Sequence, residues 1–213
     1  MRKTVTRALF VCIGISVIAA SIITTIQSQV PDQRNRDRWQ QPEAVMDSIG
    51  VKQGMVIGEV GAGDGYFTFK LSSRVGDSGK IYANDINRRA LRSLGNRCER
   101  EGISNIETIL GKVDDPLLPK GKLDMVIMVY VFHELEKPVE LLNNIKPSLK
   151  PGANLVILDQ DPQKYGRSSR HFMSKEAILK KVTETDFELV RIETFLPRDN
   201  IYIYRLNGKE NLY

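Results

Sequence analysis

The chain has 213 residues, 41% hydrophobic and 27% charged, enough for one sizeable core rather than two. Its net charge of +5 does not mark a nucleic-acid surface, because Glu99 and Glu101 break up the densest basic stretch, around Arg88 to Arg100. The only two cysteines are Cys12, in an apolar run, and Cys98, in a predicted helix, so neither a disulfide framework nor a zinc site is implied.

Residues 8–26 carry no charge and follow the basic start Arg2, Lys3, Arg7. This pattern reads as a signal peptide or as a single membrane anchor. Ala19, Ala20 and Ser21 offer small residues for cleavage, yet the uncharged run continues to Ile26. Val11 before Cys12 argues against a lipoprotein signal. Three basic residues precede the run and three follow it (Arg34, Arg36, Arg38), so charge does not fix the orientation. The expected organisation is therefore a targeting or anchoring segment over 1–30, a polar linker over 31–41, and one folded domain over 42–213. The chain is expected at a membrane if the segment stays, or exported if it is cut.

Pro42 at a first helical position, with Ala44, Val45 and Ile49 behind it, predicts a short helix closed by Gly50. An apolar run over 55–60 predicts a buried strand, which meets Gly61, Gly63 and Gly65 before a helix over 66–75. A side-chain-free turn between strand and helix lets a ligand approach the backbone and the helix N-terminus. A second strand over 80–85 ends in Asp85, about 20 residues beyond the glycines, where a carboxylate suits a vicinal ribose diol. A charged helix over 88–102 and a third strand over 106–110 follow, then Gly111, Lys112, Val113, Asp114 and Asp115. Residues 123–130 make the most apolar strand, from Leu123 to Tyr130. They lead through Val131, Phe132, His133, Glu134 and Leu135 into a helix reaching Ile145. After a turn over 147–152, a fifth strand over 155–158 ends at Asp159, with Asp161 close behind. A basic loop over 163–171 holds Tyr165 and His171 as lesser site candidates, and Ser174 caps a helix to about 185. Alternation over 188–195 and 200–206, with Pro197, Arg198 and Asp199 between, predicts an antiparallel hairpin.

The acid-x-Gly-x-Gly-x-Gly series of Glu59, Gly61, Gly63 and Gly65 resembles the first motif of the class I S-adenosylmethionine-dependent methyltransferases. The resemblance extends over about 42–206 through Asp85, the strand into His133 and the final hairpin. It implies an α/β, Rossmann-like, seven-stranded and mostly parallel sheet with a C-terminal antiparallel hairpin and helices on both faces. It implies S-adenosyl-L-methionine as cofactor. Glu59, Gly61, Ala62, Gly63 and Gly65 would hold its amino-acid end, Asp85 its ribose, and Ile86 and Asp114 its adenine. Tyr130 closes the cofactor set at the end of the fourth strand. Where the family places an acid after Gly111, this chain has Lys112, and Asp114 is the nearest substitute on the cofactor side. His133 is the candidate general base, with a loop-holding hydrogen bond as the competing role. No metal is implied.

No Asn-Pro-Pro-Tyr sequence follows the fourth strand, which disfavours amino methylation of adenine or glutamine. No cysteine lies near a strand end, which disfavours a cysteine-relayed methylation. With no added recognition domain, a small-molecule acceptor is expected, and no nucleic-acid partner. Two other readings stand beside this one. Tyr66, where a dinucleotide fingerprint needs glycine, counts against a nicotinamide-dependent oxidoreductase. A membrane-tethered S-adenosylmethionine-binding protein without turnover is the second.

Overall fold

A computed structural model describes residues 35–165 and 172–207. The expected anchor or signal segment lies outside the described residues, as do His171 and most of the basic loop. Among the described residues no helix is long and apolar enough to cross a membrane. The chain divides into two units, 1–41 and 42–213. Within the first, part of the stretch read as linker is helical, over 35–40, with Arg36 Nε donating to Gln40 Oε1 one turn on.

The second unit follows the expected order: α1 (Pro42–Ile49), β1 (Val56–Val60), α2 (Tyr66–Val75), β2 (Lys80–Asp85), α3 (Arg88–Glu101), β3 (Ile106–Leu110), β4 (Leu123–Val129), α4 (Pro138–Ile145), β5 (Leu149–Gln160), α5 (Pro162–Tyr165), α6 (Lys175–Thr183), β6 (Phe187–Glu193) and β7 (Asp199–Leu206). The seven strands form one sheet in the order β3-β2-β1-β4-β5-β7-β6. β1 to β5 pair in parallel, while β7 runs antiparallel to both β5 and β6. The expected mixed sheet with its antiparallel pair is the observed one.

Alternation along the strands sends side chains to two cores. On one face Val45, Met46 and Ile49 of α1 and Phe67, Leu71 and Val75 of α2 pack on Ile57, Ile127, Val156 and Leu158. On the other, Leu141, Leu142 and Ile145 of α4 and Ile178 and Val182 of α6 pack on Val126, Met128, Leu155 and Ile157. Both faces are covered, which is why β4 is apolar from Met125 onward instead of alternating.

The short α5 lies at the start of the stretch expected as a basic loop, and two boundaries differ most from expectation. β5 begins at Leu149, so the residues read as a turn over 149–152 are strand. Their β4 register jumps between Leu149 and Asn154, an irregularity that accommodates Pro151 and Gly152. Past β4, the residues around His133 form a 3-10 turn (Phe132–Glu134), and α4 starts only at Pro138. Proline suits a first helical position because it has no N–H to leave unpaired. Ser174 caps α6 as expected, its hydroxyl accepting from Ala177 N.

Candidate functional site

The parallel strands present their carboxyl ends together, where open α/β sheets bind ligands. A cavity of about 300 Å³ lies there, lined by Gly61, Gly63, Asp85, Ile86, Lys112, Val113, Tyr130, Val131, Glu134 and Leu135 among others. Its size falls at the lower end of small-ligand sites.

The glycine turn owes its shape to β2. The Asn84 carbonyl accepts from both Gly61 N and Ala62 N at 2.9 Å. Gly61 has φ +77, and a Cβ there would stand 2.5 Å from Val131 Cγ2. Gly63 has φ +56 and open space where its Cβ would be. Asp85 ties the turn to α3, with Oδ2 accepting from Gly63 N and Oδ1 from Asn87 N, each at 2.8 Å. Each carboxylate oxygen can accept more than one hydrogen bond, so Asp85 retains capacity toward the cavity it lines. Ile86 beside it is 60% exposed, an apolar side chain left at the rim.

The other expected residues are distributed unevenly. Glu59 is buried and accepts from Thr68 Oγ1 of α2 at 2.5 Å, and it is not part of the cavity wall. Ala62 is buried against Ala83 and Leu94, and a Cβ on Gly65 would meet Phe69 and Leu94. These residues shape the turn from behind. Asp114 also stands off the wall. Its carboxylate takes Lys137 Nζ at 3.2 Å and its carbonyl takes Asn144 Nδ2, and the Lys137 contact holds its carboxyl below the ordinary range. Lys112 and Val113 line the cavity in its place.

His133 does not line the cavity either. Its Nδ1 lies 2.7 Å from Asp159 Oδ1 and its backbone N–H donates to Asp159 Oδ2. Phe172 meets the ring edge-on, with centroids 5.6 Å apart. The Asp159 hydrogen bond holds the imidazole pKa above its ordinary value, against the opposing effect of burial. This is the geometry of a turn held to β5.

Tyr130 is different. It leaves β4 with φ +58, a conformation costly for a residue with a side chain. It lines the cavity, and its hydroxyl donates to Asp199 Oδ2 at 2.6 Å. Asp199 is completely buried. Burial pushes its carboxyl up to about 6, against the lowering effect of the Tyr130 hydrogen bond. In the sequence Asp199 reads only as a turn residue after Pro197 and Arg198. Only the β5–β7 register, which sets Asp199 opposite Gln160, brings it to the site.

Comparison with known proteins follows the same lines. A family model described as a methyltransferase domain matches residues 51–205. The chain is 26% identical over 115 residues to the ubiquinone/menaquinone biosynthesis C-methyltransferase of Escherichia fergusonii, covering 54% of this chain and 46% of that protein. It is 29% identical over 126 residues to the demethylmenaquinone methyltransferase of Lactococcus lactis, covering 59% and 49%. The chain thus spans about half the length of the curated relatives it matches. Among solved structures, an S-adenosylmethionine-dependent methyltransferase from Aquifex aeolicus superposes with a TM-score of 0.72 at 26% identity, covering 78% of this chain and 89% of that one. The geranyl diphosphate C-methyltransferase of Streptomyces coelicolor shares the fold at 13% identity, with a TM-score of 0.66 over 81% of this chain and 80% of that one.

Proposed function

The chain belongs to the class I S-adenosylmethionine-dependent methyltransferase family, and from that membership we propose that it methylates a small molecule, in the first instance a ring carbon of a hydroquinone. Family membership displaces the oxidoreductase reading. S-adenosylmethionine, when bound, supplies a methyl group made electrophilic by its sulfonium sulfur.

The observation that carries the reading is the Asp85–Gly63 arrangement at the cavity. One carboxylate fixes the turn through Gly63 N and Asn87 N and still faces the space beside it. The residues fit the cofactor. Gly61 and Gly63 give a wall without side chains, Asp85 offers acceptors to a diol, and Ile86 with Val113 offers apolar surface to an adenine ring. Lys112 stands where the resemblance places an acid, so adenine would be held chiefly by apolar contact. The acceptor class rests on the activities of the two quinone-pathway relatives and on Val131 and Leu135 in the cavity wall. Positioning is the expected source of rate, since in-line methyl transfer needs neither metal nor covalent intermediate.

Calorimetry with S-adenosylmethionine and S-adenosylhomocysteine, alongside a methylation assay on 1,4-naphthohydroquinone, tests both parts. Micromolar binding that weakens about 10- to 100-fold in Asp85→Ala is expected, the worth of hydrogen bonds to a charged group. Binding without product from any quinol would leave the cofactor and remove the acceptor. Binding of neither compound would overturn the whole proposal. Residues 8–26 are proposed to hold the domain at a membrane, where an apolar acceptor partitions. Flotation of the full chain with phosphatidylcholine vesicles, lost on deleting that segment, is the expected result.

A further inference from the structure

Two buried oxygens on residues that meet across the β5–β7 ladder have no partner among the described residues. Asp199 Oδ1 and Gln160 Oε1 both lack hydrogen bonds, and the two residues face each other across the β5–β7 ladder. A buried acceptor without a donor is costly, so such groups are rare unless they act. Asp199 Oδ2, in contrast, is bonded to Tyr130, whose side of the contact belongs to the cavity wall. Lys164 Nζ fixes the Asp199 backbone through its carbonyl at 2.7 Å, and bonds Thr194 O and Leu196 O as well. The carboxylate cannot easily move away.

A tyrosine hydroxyl has one proton. With that proton committed to Asp199, Tyr130 Oη has only lone pairs to offer anything else. A fully buried carboxylate lies directly behind it, where its charge is poorly screened. The cavity side of this pair is therefore electronegative. S-adenosylmethionine and its demethylated product differ by one full positive charge, on sulfur.

We propose that the Tyr130–Asp199 pair selects the sulfonium cofactor over its neutral thioether product, with Asp199 as the positioning residue that acts through Tyr130. This rests on the cofactor reading above and extends it to product release: methyl transfer removes the charge that the pair favours, so the spent cofactor is held less tightly. Protonation of Asp199 reverses the wall. A neutral carboxyl can donate to Tyr130 Oη, freeing the tyrosine proton, and the buried negative charge is gone.

The groups around Asp199 come from four elements. Tyr130 follows β4, Asp159 lies on β5, Lys164 on α5, and Arg198 in the turn before β7. The first bonds the carboxylate. Asp159 opposes its ionisation, while Lys164 and Arg198 favour it. His133 is a second titratable group nearby, its imidazole held above its ordinary value by Asp159, but Asp159 shares the sheet face of Ile157, whereas Gln160 and the facing Asp199 share that of Leu158. The amino and carboxyl groups of the ligand are common to both compounds and cancel in a ratio.

The experiment is calorimetry of S-adenosylmethionine and S-adenosylhomocysteine on the full chain at about pH 5 and about pH 7.5, on either side of the Asp199 midpoint. The product-to-cofactor Kd ratio is expected to rise about tenfold from the lower to the higher pH, the scale of one charge acting through a protein wall. In Asp199→Asn the ratio should be low and flat with pH. In Tyr130→Phe, which keeps the buried carboxyl but removes the oxygen, it should fall at the higher pH. His133→Gln should keep the wild-type dependence. Should Asp199→Asn fail to fold, the Tyr130→Phe ratio decides alone. A pH-invariant wild-type ratio, or an unchanged one in Tyr130→Phe, with both ligands still bound, overturns this proposal and leaves the cofactor reading intact. Binding of neither ligand overturns both.

Discussion

At the scale of single residues, two glycines of one turn answer to different constraints. Gly61 adopts φ +77 with Val131 where its Cβ would be, and Gly63 adopts φ +56 with open space there. Alanine at Gly61 meets both backbone strain and overlap with Val131 Cβ and both its methyls. It should cost about 2–4 kcal/mol of stability. Alanine at Gly63 meets only the strain, about 1–2 kcal/mol, but adds a methyl to a residue of the cavity wall. Urea unfolding and cofactor calorimetry on both variants should separate them: Gly61→Ala mainly loses stability, Gly63→Ala mainly loses affinity. Equal effects in both assays would refute the distinction. The glycine spacing and Asp85 were legible in the sequence because a turn without side chains leaves a residue pattern. Asp199 was not. An Asp after Pro-Arg looks like a turn residue, and nothing local reports that strand pairing will bury it under Tyr130. His133 was legible as important, but the sequence could not say whether its ring would face the cavity or Asp159.

At the scale of elements, the sheet centre is held in register by a side chain at the start of β4. Asp124 Oδ2 accepts from Val56 N, the first N–H of β1, at 2.8 Å, and Oδ1 accepts from Lys150 Nζ of β5 at 2.7 Å. One carboxylate thereby ties three neighbouring strands below the residues that carry the cavity. Asp124→Ala leaves the Val56 N–H without this acceptor and should cost about 2 kcal/mol in urea unfolding. Asp124→Asn keeps an acceptor oxygen and should cost less, so equal losses in the two variants would rule out the hydrogen bond as the cause. Strands and helices were read well here because their periods are local: β2, α2 and β3 fall where the apolar pattern puts them. β5 was read short because Pro151 and Gly152 carry turn chemistry, yet Leu149 already pairs with Leu123. Tertiary pairing overrode the local preference.

For the molecule as a whole, Asp199 and His133, near the sheet's carboxyl end, bend stability in one direction. Burial raises the Asp199 carboxyl from 3.8 to about 6, and Asp159 raises the His133 imidazole above 6.5. In both cases the folded chain holds a proton that the unfolded chain has released at the same pH. Stability therefore falls as pH rises wherever either excess exists. For Asp199 that window opens near 3.8 and closes near 6, and its full width is worth up to about 3 kcal/mol. The stabilising share from His133 is complete below 6.5 and is lost as pH rises through its folded value. Urea unfolding from about pH 4 to about pH 8 should show this as differences between wild type and variants. The gap in stability between Asp199→Asn and wild type should grow in the variant's favour between pH 4 and 6, then level. The gap for His133→Gln should change only above about 6.5, with wild type losing its advantage as the imidazole deprotonates. A destabilising acid kept inside the sheet is what the sulfonium-selecting wall requires, since only a buried carboxylate acts unscreened on the cavity. If Asp199→Asn were destabilised at every pH, the carboxylate would be a fold-holding group and not a destabilising acid.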